Sequence, residues 1–429
     1  MSIYDNAGVA LIPSGTKASK LYSVLPANGD GDFTHSRGST ATRVNKDGFI
    51  ESVATNVPRL DYPLIDGVVQ DCPALLLEPS RTNNLQRTEE FDNGYWNKSL
   101  ISVTANDSVS PDGSVTADKI VSGNSTGNHF FRRTSLTYAA TNNTFSVFAK
   151  FTDDLFEQFH FIIYDGSNHS AYFDVKNGSV ISADSGITAS MINYGSGWYR
   201  CIATYQTAST SVGQIKVELG STSTITGDGS SGMLFWGMQW EAGSYPTSYI
   251  SWDGSGTTTR SADVCNGSGT SAEFNDSEGV LFAESAALTS SDTSRDIEIS
   301  DGNTNRIILQ YITGSIQVYV LVGGSTTYTF SHSTTITQFK KIGFKYKEND
   351  FALWIDGFEV DSSNSGSVFA ANTLTRLDFF KASNQTFNFY GKTKQLSTFK
   401  TALTDSELET LTSWDSFTAM AKGQLYTIE

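Results

Sequence analysis

The chain has 429 residues, 38% of them hydrophobic and 12% aromatic but only 17% charged, which is ample apolar surface for about two to four domains and too little Glu, Lys and Arg to clothe the outer faces of a helical protein. A formal net charge of −16 repels phosphate backbones and anionic headgroups, so nucleic acid and membrane insertion are excluded as expected partners. Abundant Gly, Ser, Thr and Asn suit short strands joined by polar turns.

The first residues, MSIYDNAGVALIPSG, lack a basic start followed by a long apolar run, and no stretch approaches the roughly 20 apolar residues of a membrane span. The expectation is synthesis in a cytoplasm without a signal peptide; were the protein to act outside a cell, another route such as release by lysis would have to carry it there. Cys72, Cys201 and Cys265 are too sparse for a disulfide framework or a paired zinc knuckle. Cys201 sits in a strand-like run as a small core residue, and a reducing cytoplasm fits this cysteine usage.

Residues 1–88 read as irregular, with turn-rich stretches such as LPANGDGDF (25–33) and VPRLDYPLIDG (57–67) and only short strand-like pieces. Such a segment cannot obviously bury its own core and is expected to dock on a neighbour. From 89 to 250 the pattern is regular. Phe145, Val147, Ala149 and Phe151 share one face at period two, as do Ile215, Val217 and Leu219, and Asp165-Gly166 and Asn177-Gly178 mark turns. This spacing predicts a β-sandwich or jelly roll. Residues 251–275, rich in Gly, Ser and Thr, read as a linker. Thr257-Thr258-Thr259-Arg260 within it echoes Ser39-Thr40-Ala41-Thr42-Arg43 without establishing a repeat. Residues 276–415 form a second β-unit, with a hairpin turning at Asp356-Gly357. One helix closes it: Thr404 caps, Glu407 completes a capping box, Leu403 staples onto Leu408, and Leu408 and Leu411 share an apolar face. Residues 416–429 read as a tail. The predicted fold class is all-β, with two β-sandwich/jelly-roll domains after an irregular N-terminal docking segment.

Three stretches carry a resemblance. Arg37-Gly38-Ser39-Thr40-Ala41-Thr42-Arg43-Val44, Gly48-Phe49-Ile50-Glu51 and Leu75-Leu76-Leu77-Glu78-Pro79-Ser80-Arg81-Thr82-Asn83 resemble a cassette of phage virion and tail-associated proteins that precedes a jelly-roll module. Phe91, Trp96 and Lys98 follow, and Phe235-Trp236-Gly237-Met238-Gln239-Trp240-Glu241-Ala242-Gly243 closes the module, so the likeness spans roughly residues 36 to 264. The C-terminal unit is similar to laminin-G or concanavalin A-like domains through Ile297-Glu298-Ile299-Ser300-Asp301-Gly302, Trp354-Ile355-Asp356-Gly357 and Ala402-Leu403-Thr404-Asp405-Ser406-Glu407. The resemblance implies a virion structural protein of tail, fibre or capsid decoration, a homo-oligomer (a trimer being one form) among other virion proteins. It would attach to host cell-surface polysaccharide through loops at the sandwich ends. That fold also hosts lectins and glycoside hydrolases, so it decides no activity.

The candidate chemistry is thin. Gly123-Asn124-Ser125-Thr126-Gly127 fits the nucleophile-elbow formula but leads into a strand, and Gly227-Asp228-Gly229-Ser230-Ser231-Gly232 precedes a strand where a phosphate loop needs a helix. Asp296 and Glu298 point the same way from one strand, as a glycosidase pair might, with Asp301-Gly302 reading as a turn. Asn28, Asp30 and Asp32 could offer oxygens to calcium, but no Glu closes an EF-hand loop. His35, His129, His160, His169 and His332 are scattered without a ligand spacing. Trp236 and Trp240, four apart in a strand, are expected on one core-facing side with Met238 between them. Trp252 and Trp354 are expected to be exposed and available for stacking on sugar. The expectation is a protein that is not an enzyme and needs no cofactor. The alternatives are a glycan-degrading enzyme working through Glu298 and a purely architectural decoration protein.

Overall fold

The computed structural model describes residues 3–413 except 154, 223 and 291–294. The fold is all-β. Among the described residues no helix is long and apolar enough to cross a membrane.

Period-two alternation builds the first sandwich. Phe145, Val147 and Ala149 of strand Asn142–Phe151 and Ile215, Val217 and Leu219 of Ser211–Leu219 enter one core, because alternate Cβ atoms leave a strand on opposite faces. One antiparallel six-stranded sheet runs in the order Asn97–Ser99, Phe130–Tyr138, Ser211–Leu219, Gln158–Tyr164, Asn168–Asp174, Ser179–Ala183. The other runs Ile101–Val109, Val115–Ser122, Gly232–Ala242, Asn142–Phe151, Trp198–Gln206, Ile187–Gly195. Between them lie Phe131, Phe159, Phe161, Phe173, Phe235, Trp240 and the small, fully buried Cys201.

Trp236 does not share the face of Trp240. Gly237 adopts φ +62, and the pairing with Asn142–Phe151 slips between Ser146 and Phe148. A bulge of this kind inserts one residue and reverses the alternation beyond it. Phe235 and Trp240 therefore point into the core, while Trp236 packs on the opposite face against Phe148 and Tyr249.

The second sandwich stacks an eight-stranded sheet on a five-stranded one. The larger runs Phe358–Ser363, Phe351–Ile355, Lys340–Lys347, Glu278–Ala287, Gly391–Phe399, Ala74–Leu77, Arg59–Asp61, with Ala7–Leu11 also paired to Gly391–Phe399. The smaller runs Ser325–Ser333, Ser315–Val322, Arg306–Ile312, Arg295–Ser300, Arg376–Asp378. Residues 1–88 are thus no irregular segment waiting to dock elsewhere. They supply three strands to this sandwich, and Val9, Leu11, Leu60, Leu75 and Leu77 sit in its core. Strands of three to five residues are too short to display a period, and their partners lie hundreds of positions away.

Nor are residues 251–275 a free linker. Thr258–Arg260 pairs with Arg81–Asn83, Val264–Asn266 pairs with Phe33–Ser36, and Cys265 is buried in the second core. The final helix, Asp405–Thr412, carries the expected capping box between Thr404 and Glu407. Its Leu408 and Leu411, with Leu403, cover the outer face of the eight-stranded sheet over Val280, Phe282 and Trp354. The Asp356-Gly357 turn has positive φ at both residues, 51° and 87°, as a tight two-residue hairpin requires. The predicted tail, 416–429, lies outside the described residues.

Candidate functional site

Arg37 and Glu78 converge with Arg59, Arg260 and Asp263 on a buried polar junction. Asp263 accepts hydrogen bonds from Arg37 Nη1 (3.0 Å) and the backbone N–H of Glu78 (2.9 Å), bonds to Arg59, and sits 3.2 Å from His35 Nε2. Glu78 accepts from Arg59 Nη1 (2.6 Å), Ser248 N (2.7 Å) and Ser248 Oγ (2.7 Å), and also from Arg260. Arg37 donates its remaining N–H groups to the carbonyls of Ser39, Val53, Ala54 and Val57. Arg37, Arg59, Arg260, Glu78 and Asp263 are all buried. Burial alone would raise both carboxyl pKa values. Arg59, His35 and Arg37 outweigh it at Asp263, holding it below the usual range, and Arg260 and Arg59 outweigh it at Glu78, which falls to about 2. This junction ties three distant chain segments together. Lys98 has a similar structural part, donating to the carbonyls of Phe91, Asp92 and Asn93 (2.9 to 3.0 Å).

Beside the junction, the hairpin Ala41–Val44/Ile50–Val53 leans on the first sandwich. Thr42 Oγ1 donates to Tyr249 O (2.6 Å), and the backbone N–H of Ile50 donates to Pro111 O (2.9 Å). Between hairpin and sandwich opens a cleft of about 350 Å³ lined by Thr42, Glu51, Ser52, Thr88, Glu89, Glu90, Asp112, Trp236, Tyr249, Ser251 and Trp252, among others. That volume lies at the lower end of the ~300–1,000 Å³ usual for ligand clefts.

Its aromatic side is fixed by polar contacts. Tyr249 Oη donates to Glu89 Oε1 (2.7 Å) and accepts from Thr88 Oγ1 (2.8 Å). Trp236 Nε1 donates to Thr116 Oγ1 (3.1 Å). Trp252 is half-buried, its indole N–H bound to Gly256 O (3.1 Å) and the Arg87 guanidinium 4.2 Å from its ring centre. Burial raises the pKa of Glu89, and the charges of Asp112 and Glu90 push it in the same direction. The arrangement offers a partly exposed aromatic ring beside carboxylate and hydroxyl hydrogen-bond groups. Trp252 was legible as a candidate in the sequence. Trp236, Tyr249, Glu89 and Asp112 were not, because the Gly237 bulge and the fold of the hairpin bring them to the cleft.

Trp354 is not available as a sugar platform. It is only 8% exposed, because the helix Asp405–Thr412 covers its face of the sheet. Asn28, Asp30 and Asp32 form turn contacts: Asn28 Nδ2 donates to Asp30 Oδ2 (2.7 Å), and Asp32 Oδ1 accepts from Ser23 N (3.0 Å). Among the described residues no three His, Cys, Asp or Glu side chains are grouped to hold a metal. His129 faces the carbonyls of Leu100 (2.6 Å), Ser125 (3.1 Å) and Ile225 (3.1 Å). Thr126–Gly127 lies in a short strand pair with Ile225–Thr226, and Gly232 opens a strand, so neither glycine motif meets a helix.

Asp296 and Glu298 do share a face, but both are buried. Glu298 Oε2 accepts from Arg306 Nε (2.6 Å), its Oε1 from Ala382 N (3.2 Å), and Asp296 Oδ1 from Gln310 Nε2 (2.8 Å). Burial pushes the Asp296 carboxyl up to about 6 and raises Glu298 as well. A carboxyl whose pKa is higher folded than unfolded binds more protons in the native state between the two values, so stability falls as pH rises through that window. Asp296→Asn should therefore gain stability over wild type as pH rises from about 4 to above 6, by up to about 3 kcal/mol. Urea melts across that range measure it, and a pH-independent difference between the two proteins would count against the assignment.

No protein-family model and no curated protein matches the chain. Among solved structures it is similar to the Ruminococcus gnavus IT-sialidase CBM40 bound to alpha2,3 sialyllactose, at 11% identity and TM-score 0.29, over 33% of this chain and 84% of that one. It is also similar to a NanB sialidase from Streptococcus pneumoniae (15%, TM-score 0.28, covering 33% of this chain and 24% of that one). A third is the binding domain of Paraclostridial Mosquitocidal Protein 1 (14%, TM-score 0.26, covering 35% and 43%).

Proposed function

We propose that the protein is a non-enzymatic glycan-binding component of a bacteriophage particle, with the cleft at Trp252 as its sugar site. The observation that carries this reading is the half-buried Trp252 ring beside the hydrogen-bonded Thr88–Tyr249–Glu89 group in an open cleft. Sugars stack their C–H faces on aromatic rings and offer hydroxyls to carboxylates. The cassette around Arg37 and Glu78 supports the virion assignment through its resemblance alone. Many copies on one particle would offset weak affinity at each site.

Densely displayed protein on a glycan array tests the sugar site. Wild type should bind a restricted set of glycans without releasing reducing ends, and Trp252→Ala should weaken binding about tenfold or more, equivalent to about 1.4 kcal/mol. Silence of the array at high valency would favour a purely architectural role. Release of sugar would favour an enzyme. Electron microscopy of antibody-labelled particles tests the virion assignment separately.

A further inference from the structure

The carboxylates bordering the cleft are not equivalent. Arg43 neutralises Glu51, with Nη2 2.5 Å away, and Arg87 neutralises Glu90, with Nη1 2.7 Å away. Glu89 and Asp112 have neutral partners instead. Glu89 accepts from the Tyr249 hydroxyl, and Asp112 Oδ1 accepts from Ser114 N (2.9 Å) and Ser114 Oγ (2.7 Å) and from Ser110 Oγ. No lysine or arginine is among the described lining residues. The cleft therefore carries a net negative field that the two arginine pairs leave in place, and its walls of low polarizability shield that field less than open water does.

We infer that the cleft accepts neutral sugars, prefers sugars bearing a free amine, and rejects sugars bearing a carboxylate. The inference rests on the sugar-site reading above. A ligand ammonium brought beside Glu89 and Asp112 gains attraction that a hydroxyl lacks, and a ligand carboxylate meets repulsion from the same two groups. At low salt each effect should amount to roughly tenfold in affinity, shrinking as ions screen the partly open site.

The test uses pairs of glycans that differ in charge. Deacetylated chitotriose should bind about tenfold more tightly than its N-acetylated form at low ionic strength, and lactose more tightly than 3′-sialyllactose. Both differences should shrink in high salt. Because the whole protein is acidic, Glu89→Gln separates the cleft from general surface attraction: the glutamine still accepts from Tyr249, and the preference for the amine should fall. Asp112→Asn provides the same test if the first variant folds poorly. Tighter binding of 3′-sialyllactose than of lactose would overturn the charge selection while leaving a sugar site in place. An undiminished amine preference in both folded variants would also overturn it. Failure of every glycan to bind would sink the sugar-site reading itself, and the selection with it.

Discussion

A fragment spanning residues 276–429 should fail to reach a packed native state, although it contains most of the second sandwich. Strand Gly391–Phe399 would lose Ala7–Leu11 and Ala74–Leu77 from one side, exposing its backbone hydrogen-bonding groups. The core would lose Val9, Leu11, Leu60, Leu75 and Leu77, all buried in the full chain. At about 1.5–3 kcal/mol for each buried side chain, the loss is roughly 8–15 kcal/mol. That is comparable with the entire ~5–15 kcal/mol by which a typical domain is stable. The fragment should bind a hydrophobic dye and lack near-ultraviolet dichroism, as expected of a chain with strands but no fixed packing. A cooperative melt with native-like dichroism would show that residues 1–88 are dispensable to the sandwich.

Asp263→Asn should destabilise the full chain by about 3–5 kcal/mol, the usual result of removing one partner from a buried ion pair. The change is nearly isosteric, so it removes charge with little change of volume. Arg37, Arg59 and Arg260 would then have Glu78 as the remaining carboxylate of the group, and the excess positive charge would be buried. The pH dependence has a definite sign. Folded Asp263 and Glu78 both titrate below their ordinary values, so their stabilisation is complete above the unfolded pKa of about 4 and is lost as pH falls further. The gap between wild type and Asp263→Asn should therefore narrow under acid. Urea unfolding followed by tryptophan fluorescence measures it, with each transition read by its midpoint because a chain with two cores need not melt in one step. Asp47→Asn, at the exposed Lys46–Asp47 pair, should leave the midpoints where they are. Equal midpoints for Asp263→Asn and wild type would remove the junction's claimed importance.

Local pattern determined a good deal. The alternation in 144–151 and 212–219, the tight turn at Asp356-Gly357 and the capping box at Thr404 and Glu407 each depend on residues within a few positions of one another. For such features, spacing along the chain is already spacing in space. The all-β class followed from the alternation and the turns, together with a composition low in charge. What tertiary structure alone decided is of another kind. Val9 N meets Thr398 Oγ1 at 3.0 Å across 389 positions, and three short strands from the first 88 residues enter a sheet whose other members begin at 278. One bulge at Gly237 sends Trp236 toward the cleft and Trp240 into the core. A helix placed over Trp354 hides a ring that its hairpin alone would leave in water, while Trp252 stays at the cleft edge. The charges of Arg37, Glu78 and Asp263 were readable as residues, but their mutual neutralisation was not. Burial makes their pairing necessary, and burial is set by which distant segments meet.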